Sequence, residues 1–166
     1  MIDTDEIRST LNNLIETLKD GEQGFRESAD KLRNTTYAAT FRSIASERTS
    51  AASELQSEVA RLGGKPETSG SASGALHRGW IGLKAALTGN DDHAILEEAE
   101  RGEDNAVKNY RDALSKDVPT DIRAIIERQY RQVQQRHNEV RAMRDAAKTG
   151  TVGSASSTPT GTPRAY

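Results

Sequence analysis

The chain has 166 residues, a net charge of −2 and no cysteine, and about a third of it is apolar. Without thiols there are no disulfides, thiolate metal sites or cysteine nucleophiles. The near-neutral balance of mixed signs gives no electrostatic drive toward nucleic acid or anionic lipid. The N-terminal residues Met1–Glu6 are acidic and lack the basic-then-apolar pattern of a signal peptide, and no apolar run is long enough to span a bilayer. A cytoplasmic protein that binds neither nucleic acid nor membrane is expected.

Alanine, leucine, glutamate, glutamine and arginine dominate, aromatics are few, and β-branched residues form no run, a composition that predicts helices. A first helix carries Ile7, Leu11, Leu14, Leu18, Phe25, Ala29 and Leu32 at helical spacing, with Asp3 or Thr4 as its cap. A second carries Tyr37, Phe41, Ile44, Ala51, Leu55 and Leu62 and stops at Gly63-Gly64. Residues 65–74 read as loop, and Ala75 to Leu87 as a shorter helix closed by Gly89. Asn90 or Asp91 caps a third long helix, with Leu96, Ala99, Ala106, Tyr110 and Ala113 on one side, broken at Asp117-Val118-Pro119. Thr120 or Asp121 caps the fourth, which carries Ile122, Ile126, Val133, Val140 and Met143. Residues 149–166 are glycine, serine, threonine and proline and are expected to be disordered.

Connection lengths then set the topology. Helices one and two meet at a tight turn near Asn34, as do three and four, so each pair is antiparallel. The connection between the pairs has about 25 residues, enough to run the length of a bundle, at about 1.5 Å per helical residue. The fold class expected is all-α: over residues 1–148, a four-helix bundle whose long crossover carries a short fifth helix, the ferritin-like arrangement. A three-helix domain with a flexible arm would leave one of four matched stripes without a partner.

Polar residues interrupt every stripe at mid-helix. Gly21 and Glu22 stand where the first helix should be apolar, Glu47 and Arg48 lie between Ile44 and Ala51, Gly102 and Glu103 interrupt the third, and His137 separates Val133 from Val140. Glu22, Glu47, Glu103 and His137 are therefore candidate metal ligands meeting at one level. Carboxylate with imidazole suits iron, manganese or zinc. Protons and an internal partner such as Arg48 would compensate the buried charge equally well.

Gly21-Glu22-Gln23-Gly24-Phe25, with Glu27 and Ala29, resembles the first metal-binding helix of rubrerythrin-type proteins. Gly102-Glu103-Asp104-Asn105-Ala106, with Tyr110, resembles the third. Over residues 5–145 the pattern is similar to a bacterial ferritin-like family of unknown function, through Leu11–Phe25, Glu54–Trp80 and Glu100–Leu114. The resemblance implies a ferritin-like fold and a stress-related role. Di-iron bundles take one Glu from each of two helices and Glu-x-x-His from each of the others. Glu22 and Glu103 match the single glutamates. Glu47 is followed by Ser50 where His is expected, and His137 is preceded by Gln134 where Glu is expected.

Three functions follow. The first is a ferritin-like protein with a degenerate carboxylate–histidine site that binds one metal ion. The second is a divergent di-iron oxidase or peroxidase, and the third a non-catalytic module that self-associates, with a homodimer as the expected form. Trp80 is expected to pin the short helix to the bundle. His77 is a minor functional candidate, and His93 reads as a solvated cap. Arg123, Arg128, Arg131, Arg136, Arg141 and Arg144 read as surface ion-pair partners.

Overall fold

A computed structural model describes residues 3–70, 80, 82–89 and 91–148. The described residues form five helices: α1 (Thr4–Lys31), α2 (Thr35–Arg61), α3 (Leu83–Thr88), α4 (Asp92–Leu114) and α5 (Thr120–Lys148). The ends follow from local chemistry. The Asp3 carboxylate accepts from Asp5 N and caps α1, Asn34 accepts from Thr36 N and Tyr37 N and caps α2, and Asp91 accepts from His93 N and caps α4. Gly63 stops α2 by adopting φ 76°, where a side chain would be strained. Of the expected short helix, Leu83–Thr88 is helical and ends at Gly89; residues 75–79 and 81 lie outside the described residues, as do Asn90 and the tail 149–166.

Two apolar clusters show how the rods run. One joins the start of α1 (Ile7, Leu11, Leu14, Ile15, Leu18) to the ends of α2 and α4 and the start of α5. The other joins the end of α1 (Phe25, Ala29, Leu32) to the starts of α2 and α4, Trp80, Leu83 and Val140. The long helices therefore run up, down, down, up. The α2–α4 connection has to climb from one end to the other, so α2 and α4 are parallel. α1 packs on α2 and α4, and α4 on α5. No helix among the described residues is long and apolar enough to cross a membrane.

Asp92 fastens the two hairpins at one end. Its Oδ1 accepts from Arg33 N at 2.9 Å and its Oδ2 from Asn34 N at 3.0 Å, so the first residue of α4 closes the α1–α2 turn. Trp80 fastens the crossover. Its indole, 2% exposed, packs edge-on to Phe25 with centroids 5.1 Å apart, and Phe25 packs edge-on to Phe41 at 4.9 Å. Glycines make the room: a β-carbon at Gly24 would lie 2.5 Å from the indole, and one at Gly102 2.2 Å.

Candidate functional site

The two apolar clusters stop at the same level on each rod: between Leu18 and Phe25, Ala45 and Ala51, Ala99 and Ala106, and Val133 and Val140. Buried polar side chains fill that level, chiefly Arg48 from α2, Glu103 from α4 and His137 from α5. The polar layer follows from the sequence periodicity, because the stripes are interrupted in step.

Its centre is an ion pair. Arg48 Nη2 donates to Glu103 Oε2 at 2.7 Å, with side-chain exposures of 4% and 1%. The Arg48 guanidinium carbon lies 5.8 Å from the Phe25 ring centroid, and the Arg48 stem passes Gly21 on α1, where a β-carbon would lie 3.8 Å from Arg48 Cγ. Burial raises the Glu103 carboxyl above the ordinary glutamate range, and the Arg48 charge and hydrogen bond oppose that rise. On one side of the pair, Tyr110 Oη donates to Gln129 Oε1 at 2.8 Å, and Gln129 Nε2 donates to Glu54 Oε1 at 2.7 Å. Burial raises the Tyr110 phenol well above its usual range.

The four residues expected to meet as ligands are distributed differently. Glu103 and His137 are buried in the layer. Glu22 sits at its edge, where Lys19 Nζ is 3.4 Å and Arg26 Nη1 3.0 Å from its carboxylate, both from the same face of α1. Glu47 is held outside by Arg136 of α5, whose Nε is 3.0 Å from Oε2 and whose Nη2 also reaches Oε1. That hydrogen bonding raises the Arg136 pKa further above its ordinary value. Basic side chains within reach thus hold Glu22 and Glu47 away from the centre, at lower cost than burying three carboxylates together. Ser50 is exposed beside a groove of about 440 Å³ between α2 and α5, and Gln134 Nε2 donates to Tyr130 Oη at 3.0 Å. These donors do not fit a two-metal centre: two carboxylates are engaged at the rim and an arginine already engages the central one.

A different group does converge. His137 Nε2 lies 2.5 Å from Asp104 Oδ1, and donor atoms of Glu100, Asp104 and His137 all lie within 4.8 Å of one another. Asp104 and Glu100 sit one turn apart on the flank of α4 that faces α5. Asp104 is 60% exposed and opens the cluster to solvent, whereas Glu100 is buried. Glu100 is already partnered by Arg141, Nε to Oε1 3.3 Å, and by Arg144 Nη1 on Oε2. The ligand spacing of di-iron bundles does not point to Asp104 or Glu100. The contacts Arg111–Tyr130, Asp104–His137 and Glu100–Arg141 recede from the α4–α5 turn in steps of seven and four on both helices. The other candidates are placed as follows. His93 stands at the α4 start, with Nε2 3.7 Å from Glu97. Arg123 donates to the carbonyls of Leu114 and Lys116, and Arg128 pairs with Glu54. His77 lies outside the described residues.

Fold and site together define a helical bundle of four long rods with a charged layer at mid-height and a histidine–carboxylate cluster on one seam. The chain belongs to the family described as a domain of unknown function (DUF2383), whose pattern it matches over residues 6–116. No curated protein sequence matches it.

Proposed function

We propose that the chain is a non-catalytic, ferritin-like bundle that binds one divalent transition-metal ion at the α4–α5 seam through His137, Asp104 and Glu100. The observation that carries this reading is the convergence of one imidazole nitrogen and two carboxylates within 4.8 Å. The up-down-down-up order with its full-length crossover supports the ferritin-like part. Mixed imidazole and carboxylate donors suit zinc, manganese or iron, and the exposed side at Asp104 leaves room for water to complete the coordination. Arg141 and Arg144 compete with the ion for Glu100, so His137 and Asp104 are the principal ligands and affinity is modest.

Calorimetric titration of tag-free protein with Zn²⁺ or Mn²⁺ tests this. One ion per chain is expected, with binding abolished in His137→Ala and Asp104→Ala and kept in Glu22→Gln and Glu47→Gln. Absence of binding, or binding indifferent to His137→Ala, would refute it.

A further inference from the structure

Di-iron carboxylate bundles project glutamates inward to hold metal cations at their centre. The central carboxylate here already has a cation of the chain's own. We propose that the Arg48 guanidinium is the resident cation of the bundle centre, occupying the interior position that a metal ion would otherwise have to fill, so that the fold is complete without metal there.

Three observations converge on this. The first is placement: Arg48 crosses from α2 at the level where both apolar clusters end, with Gly21 beside its stem, Phe25 near its charged face and Glu103 at 2.7 Å. Neither charge would be tolerated there alone, because an isolated ion in an apolar interior is strongly disfavoured. The second is stoichiometry: Glu22 and Glu47 are engaged at the rim by Lys19, Arg26 and Arg136, which leaves Glu103 facing Arg48 at the centre. A divalent ion added beside Arg48 would leave that pair strongly positive with little water to screen it.

The third is register. Arg48 stands four residues after Ile44 and three before Ala51, and His137 stands four after Val133 and three before Val140. The same interior position thus holds an imidazole in one hairpin and a guanidinium in the other. Arginine suits the role because it is always charged, planar and more weakly hydrated than an ammonium, so it meets a buried carboxylate at a lower desolvation cost than lysine would.

The test is run in a His137→Ala background, which silences the seam cluster and keeps the two proposals separately refutable. Thermal unfolding is followed by circular dichroism, with EDTA and with Zn²⁺. The His137→Ala protein should unfold at the same temperature in both. Arg48→Ala/His137→Ala should unfold many degrees lower in EDTA and recover several degrees in Zn²⁺. Adding Glu103→Leu should restore stability in EDTA and remove the zinc response. If Arg48→Ala prevents folding, refolding yield with and without Zn²⁺ replaces the melting temperature. An EDTA-sensitive His137→Ala protein overturns the proposal, as does a zinc response no larger with Arg48→Ala than without it. A triple variant no more stable than the Arg48→Ala variant also overturns it.

Discussion

The indole of Trp80 occupies the space in which Gly102 would carry a β-carbon, which would come within 2.2 Å of the ring. The crossover is therefore seated on α4 backbone as well as on the Phe25 ring, and Gly24 repeats the close backbone approach on α1. Gly102→Ala should unseat the indole at an overpacking cost of about 1–3 kcal/mol. Better helix propensity returns up to about 1 kcal/mol of that. Trp80 is the sole tryptophan, so a red-shifted emission maximum with a lowered urea midpoint is the expected result. Unchanged emission would show that the ring is not held between the glycines.

Gln129 is the hub of a buried chain, accepting from Tyr110 and donating to Glu54 and, at 3.3 Å, to the Ala51 carbonyl. Gln129→Ala leaves the Tyr110 hydroxyl without that acceptor and should cost about 1–3 kcal/mol. Double substitution with Tyr110→Phe should cost less than the sum of the singles. Urea unfolding of the four proteins measures the coupling, and strict additivity would argue against the chain acting as a unit.

Tyr110 also predicts an alkaline effect. Its phenol is raised by burial in the folded protein, so above the ordinary tyrosine value of about 10 the unfolded chain loses this proton while the folded chain keeps it. The folded state then holds more protons, and stability falls as pH rises. Tyr110→Phe removes that slope. Between pH 9 and 11 the urea midpoint of the wild type should fall faster than that of the variant, and parallel curves would contradict the assignment.

Asp92 uses both carboxylate oxygens on the α1–α2 turn, at 2.9 and 3.0 Å. Asp92→Ala should lose about 1–3 kcal/mol, since both bonds have a charged acceptor. Amide hydrogen exchange at Arg33 and Asn34 should rise above that of the α2 interior. Uniform exchange changes along α1 and α2 would instead indicate global destabilisation.

The bundle was legible because stripe spacing and connection length act locally. Leu96, Ala99, Ala106, Tyr110 and Ala113 are all buried, as are Ile122, Ile126, Val133 and Val140, while Val59 rather than Leu62 closes the α2 stripe. The height of the charged layer could also be read, since the interruptions at 21–22, 47–48, 102–103 and 137 are in step. Which carboxylates turn inward depends on the basic groups within reach, a rotational matter that periodicity does not resolve. Glu22 has Lys19 and Arg26 one turn away on its own helix, and Glu47 finds Arg136 across the groove, so both settle at the rim. Asp104 lies one residue beyond the expected ligand Glu103, and that single step rotates it onto the α5 flank, where His137 meets it.

α5 supplies Ile122, Ile126 and Val133 to one half of the core and Val140 to the other, yet the family pattern stops at Lys116. The matched stretch is thus one rod shorter than the bundle whose core α5 completes. A polypeptide truncated at that boundary would lose the cover that α5 gives to Ala106, Tyr110 and Ala113 on α4.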